Sequence, residues 1–166
     1  MKKLFCCVIL MIAGASELIS APITKTTIGQ GGVKAYFNYA VFNAPEKGTY
    51  IETYITIPGQ SVLFKKQKNH FMATVHVEIS FNQDGKAVQG NSYNVNSSEI
   101  LDTSKKPVFT AIQRYPLKAG KYEMILKIRD ANRPGSEELS ASQVIEITSP
   151  QDKELSFSDV ELLESF

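Results

Sequence analysis

The chain has 166 residues, 43% of them hydrophobic, with 18 basic and 17 acidic side chains and a formal net charge of +1. That balance leaves no basic footprint for nucleic acid. The only cysteines are Cys6 and Cys7 and there is no tryptophan, so neither a disulfide framework nor a cysteine-based metal site is available beyond the first ten residues.

Residues 1–21 have the layout of a secretory signal peptide. Met1-Lys2-Lys3 is a short positive start, Leu4 to Ala13 is almost unbroken apolar sequence, and Gly14 to Ala21 is rich in small residues. A run this short falls well below the roughly 20 residues that a membrane-spanning helix takes, so no transmembrane anchor is expected. Ala13-Gly14-Ala15 fits the small-x-small rule, and Pro22 disfavours a cut directly after Ala21, which brackets cleavage within 15–21. Cys6 and Cys7 lie too early in the run for lipid attachment at its end. The expected destination is the periplasm or surface of a bacterial cell. Loss of Lys2 and Lys3 brings the mature chain close to neutrality and leaves it without a thiol.

Residues 22–32 are polar and glycine-rich and read as a flexible leader. From Val33 onward, short strand signals alternate with turn residues. Val33 to Phe42 is aromatic and β-branched, and the segment from Asn43 to Gly48 is a turn. Thr49 to Ile57 alternates: Ile51, Thr53, Ile55 and Ile57 face one way, and Tyr50, Glu52, Tyr54 and Thr56 the other. Ser61 to Lys66 reads as a short strand. His70 to Phe81 holds period two over its whole length, and Asp84-Gly85 then turns the chain into a partner strand, Lys86 to Val95. A polar connection from Asn96 to Lys106 precedes further strands at Val108–Tyr115, Tyr122–Asp130 and Ser140–Thr148. Seven or eight short strands without a convincing helix indicate an all-β fold, an immunoglobulin/fibronectin-III-like antiparallel β-sandwich spanning 33–149.

Tyr115-Pro116-Leu117-Lys118-Ala119-Gly120-Lys121-Tyr122 resembles the entry to the penultimate strand of such sandwiches. There a tyrosine, here Tyr122, folds over the corner and bonds a backbone carbonyl upstream. Residues 150–166 are amphipathic and read as the start of a further element or as a C-terminal tail.

No nucleophile, phosphate-loop or metal motif occurs downstream of the leader, and neither a catalytic residue nor a cofactor is assigned. His76 and Glu78 share a strand face, but two ligands are too few for zinc. Asp84 and Asp102 lack the spacing of a calcium loop. Lys65, Lys66 and Lys68, with Lys105 and Lys106, read as edge or loop lysines that block strand addition. Tyr50 and Tyr54, with Glu52 between them, form the candidate binding surface, since outward aromatics hold sugar rings or pack against another domain.

The order of elements resembles the N-terminal region of the GWxTD-domain proteins of the Bacteroidetes group. The likeness rests on Val41-Phe42-Asn43-Ala44-Pro45, the Tyr50–Pro58 strand, the Tyr115–Tyr122 corner and the closing Leu155-Ser156-Phe157-Ser158-Asp159-Val160-Glu161-Leu162. The Gly-Trp-x-Thr-Asp motif itself is absent. The resemblance implies the leading sandwich of a longer exported protein, and it supplies no site. The functional expectation is a non-catalytic binding or scaffolding module for a protein partner or a further domain of the same chain. Its alternatives are an accessory domain of a cell-envelope hydrolase or transferase, and a carbohydrate-binding module.

Overall fold

The computed structural model describes residues 26–28, 32–44 and 48–148. The expected signal peptide and the 150–166 segment lie outside the described residues. Among the described residues ten strands follow in chain order: β1 (Thr26–Ile28), β2 (Ala35–Ala44), β3 (Gly48–Ile57), β4 (Lys65–Gln67), β5 (His70–Met72), β6 (Thr74–Gln83), β7 (Lys86–Asn96), β8 (Phe109–Pro116), β9 (Gly120–Asp130) and β10 (Leu139–Ile147). The helical content of the described residues is one 3₁₀ turn, Gly59–Ser61.

The strands form two four-stranded antiparallel sheets. The first has the order β1-β2-β3-β8 and the second β10-β9-β6-β7, with β4-β5 as a small separate hairpin. The chain passes between the large sheets from β3 to β6, from β7 to β8 and from β8 to β9. This is an all-β sandwich. Its core is built by the period-two faces that the sequence displays: Ile51, Ile55 and Ile57 from β3 meet Val75, Val77, Ile79 and Phe81 from β6 and Tyr122, Met124, Leu126 and Ile128 from β9, all buried.

Three local departures from the sequence pattern have physical causes. Thr26–Ile28, inside the segment expected to be a flexible leader, pair with Ala35–Phe37 as an edge strand. The 3₁₀ turn at Gly59–Ser61 occupies the start of the expected Ser61–Lys66 strand, and pairing begins only at Lys65. The run from His70 to Phe81 breaks at Ala73. Its first part, β5, pairs with β4 and bridges Ile100, whereas β6 pairs with β7 and β9. Period two survives the break because both pieces stay extended.

The β6–β7 hairpin closes through Asp84 (φ 52°) and Gly85 (φ 74°) between the paired Gln83 and Lys86. Two successive left-handed residues match the twist of the flanking strands, which is why Asp-Gly is favoured there.

The polar ends of the sandwich are also tied. Asp130 continues the inward phase of β9 and is fully buried. Its carboxylate accepts the Leu63 N–H at 2.8 Å and the Asn132 N–H at 3.0 Å, and Arg133 Nε lies 3.5 Å away. Asn132 Nδ2 donates to Leu63 O and Met72 O. This cluster clamps the β3–β4 connection to the turn after β9. At the opposite end of β9, the buried Tyr122 donates its hydroxyl to Lys118 O at 2.9 Å, four residues upstream, the contact made by a tyrosine at such a corner.

Candidate functional site

The outer face of the first sheet gathers the residues the sequence singles out. The register places them in rows across β2, β3 and β8: Asn38-Tyr54-Ile112, Ala40-Glu52-Arg114 and Phe42-Tyr50-Pro116. Glu52 therefore sits on an inner strand of the sheet, between small Ala40 and long Arg114.

Tyr50, Glu52 and Tyr54 do point away from the core, but they are not an open surface. Glu52 and Tyr54 are each only 8% exposed. The correction has a simple cause. Tyr54 donates its hydroxyl to Glu52 Oε1 at 2.7 Å, and Arg114 Nε bonds Glu52 Oε2, so the three side chains close over one another. Tyr50 stacks on Phe42 with ring centroids 5.4 Å apart, and the Arg114 guanidinium lies 5.9 Å from the centre of its ring. Burial alone would raise the pKa of Glu52, but the Tyr54 hydroxyl and the Arg114 guanidinium outweigh it and hold the carboxyl below its ordinary value. The reciprocal bond raises Arg114.

The result is a buried anion under a partly covered aromatic layer, with one cation at the rim. The Arg114 side chain remains 69% exposed, and Ile112, two residues earlier on the same strand, is 53% exposed. Such a face offers an apolar contact beside a guanidinium whose planar fork has more donors than Glu52 engages. The sequence alone does not mark Arg114 or Ile112 as part of this face. Arg114 and Ile112 share a phase in β8, but only the β3–β8 register shows that they flank Glu52 and Tyr54.

The other sequence candidates fall elsewhere and do not converge. His76 Nδ1 pairs with Asn94 Oδ1 at 2.9 Å and its Nε2 with Ser92 Oγ at 3.2 Å, while Glu78 takes Lys127 Nζ at 3.3 Å. His70 meets Glu99 at 3.3 Å. Asp102 accepts both the N–H and the hydroxyl of Ser104, which lowers its pKa and fixes a tight turn. Asp84 forms the hairpin turn. Lys65 and Lys66 lie exposed in β4, Lys68 in the turn after it, and Lys106 Nζ lies 5.8 Å from the centre of the Phe64 ring. Among the described residues, no three His, Cys, Asp or Glu side chains gather to hold a metal ion, and no helix is long and apolar enough to cross a membrane.

Between the sheets, at the β7–β8 side, Tyr93 and Tyr115 bring their hydroxyls together, but the geometry falls short of a hydrogen bond and both oxygens are buried without a partner. Burial pushes Tyr93 up to about 12, and Tyr115 is raised further.

Compared with protein-family models, curated proteins and solved structures, the chain matches none.

Proposed function

We propose that the chain is an exported, non-catalytic binding or scaffolding module, an immunoglobulin-like sandwich that docks a protein partner or a further domain of the same chain on the outer face of its first sheet. One observation carries this reading. The middle of β3, Ile51 to Ile55, is buried on both faces, whereas β6, the matching inner strand of the second sheet, alternates between buried and half-buried residues. A strand buried on both sides has the pattern of one that lies under a further layer.

Three further features support the module. The order β10-β9-β6-β7 opposite β2-β3-β8 and the Tyr122 hydroxyl contact suit an immunoglobulin-like sandwich. The leading 21 residues support export. The order of elements resembling the GWxTD-domain proteins fits a leading domain of a longer exported chain. A sugar platform uses open ring faces, and the burial of Tyr54 and the Phe42–Tyr50 stack favour the docking reading over it.

The test is site-specific photo-crosslinking in producing cells, with a photoreactive residue at Thr110 on this face or at Ser142 on the opposite one. Discrete cross-links from Thr110, within the chain or to another protein, are expected, with none from Ser142. Equal patterns from both positions, or none from Thr110, would overturn the reading.

A further inference from the structure

We infer that the occupant of this face is the chain's own 155–166 segment, which rests on the reading of the face as a docking surface. Charge is the first argument. Residues 149–166 carry five acidic side chains and one lysine, whereas residues 22–148 carry 15 basic and 11 acidic ones. The sandwich and the segment that follows it are of opposite sign. Composition is the second. In LSFSDVELLESF, six apolar residues interleave with three acids. That is the chemistry the face lacks: apolar side chains for Ile112 and the Phe42–Tyr50 stack, and a carboxylate for the donors of Arg114 that Glu52 does not engage.

Reach is the third argument. β10 ends with Ile147 opposite Gly120. Gly120 follows Leu117, whose N–H bonds Thr49 O, so the chain leaves the sandwich at the end where the Phe42-Tyr50-Pro116 row lies. The residues between Thr148 and Leu155 span about 20 Å when extended. Crossing the four strands of the first sheet takes about 15 Å, and a twelve-residue segment covers about 18 Å even as a helix. The edges also lie on the required side, because β10 approaches β1.

The chain from Pro22 onward has no cysteine, so two introduced thiols report alone. Spin labels at Thr110→Cys and Glu164→Cys should give a narrow distance distribution below about 25 Å, unchanged when labelled chain is diluted with unlabelled chain. Arg114→Glu should broaden it, and so should Asp159→Lys with Glu161→Lys, changes that lie outside the sandwich. The pair Ser142→Cys and Glu164→Cys should read a longer distance. A broad distribution in the parent pair, or one insensitive to both charge changes, overturns the inference. A short distance that disappears on dilution assigns the face to a second copy instead. If the labels lie far apart while Thr110 still cross-links to another protein in cells, the docking surface stands and this occupant falls. If both experiments fail, both fall.

Discussion

The two outer faces of the sandwich are built from the same period-two pattern and end up unlike. On the second sheet, β6 shows His76, Glu78 and Ser80 to solvent, and their partners are hydroxyls, amides and a half-exposed lysine. On the first sheet, β3 places Glu52 and Tyr54 in the equivalent positions and buries both. The difference lies in what the neighbouring strands supply. Asn94, Ser92 and Lys127 keep water close to β6, while the aromatic rings of Phe42 and Tyr50 and the stem of Arg114 exclude it from β3. Ion pairs on the two faces therefore have different weights, because a carboxylate sheltered from water depends on its cation far more than one that is half solvated.

Removing each cation in turn is the most direct way to break the contrast. Arg114→Ala leaves Glu52 buried with only the Tyr54 hydroxyl and should give the largest loss of stability of these variants, though a smaller one than for a fully buried pair because Arg114 itself is largely solvated. Lys127→Ala, which frees the half-exposed Glu78, should cost no more than about 1 kcal/mol. Equal losses in urea denaturation would erase the distinction between the faces.

Replacing hydrogen-bonding groups sharpens it further. Tyr54→Phe deprives Glu52 Oε1 of its donor and should cost about 1–2 kcal/mol, whereas His76→Ala should stay within about 0.5 kcal/mol. Thermal unfolding of the two variants, compared with the parent, checks the ranking.

Acid titration reads the sheltered carboxylate of the first face without large structural change. Because Glu52 is lowered in the folded state, its contribution is fully present above its unfolded pKa of about 4.3 and is lost as pH falls through the folded value. Glu52→Gln should flatten the stability profile below about pH 4. A profile for this variant identical to the parent's, measured by urea midpoints across the acid range, would refute the assignment.

The smallest effect is expected from a residue that belongs to neither face. Tyr115→Phe removes a buried hydroxyl without a partner and should be neutral or stabilising by up to about 1 kcal/mol, with the acid profile unaltered. The parent should also lose stability above about pH 10, the ordinary tyrosine value, as Tyr93 and Tyr115 are forced to ionise on unfolding. The loss contributed by Tyr93 extends up to about pH 12. Ultraviolet titration of tyrosinate, followed alongside unfolding, shows whether the two events coincide.

Much of this architecture is legible in the chain because period two marks which side chains share a side of a strand. β3, β6, β7, β8, β9 and β10 all lie within a residue or two of the segments expected for them, apart from the split at Ala73. Alternation does not say what lies above a side. Tyr54 keeps the outward phase yet is buried, and its bond to Glu52, itself held by an arginine 60 residues away from Tyr54, follows from strand register and not from alternation. Asp130 stands in phase with Tyr122, Met124, Leu126 and Ile128, and that continuity was a readable sign of an inward carboxylate. The Asp130-Ala131-Asn132 order completes it, because an aspartate commonly bonds the backbone two residues on.

The Asp130 clamp also bears on how the chain reaches this shape. Its bond to Leu63 joins positions 67 residues apart, so the loop must already be closed by strand pairing before the clamp gains anything. Contacts of that kind belong to the late, downhill side of the folding barrier. Asp130→Asn should accordingly leave the refolding arm of a chevron nearly in place and accelerate unfolding, making the clamp a determinant of how long the native state lasts and only weakly of how quickly it forms.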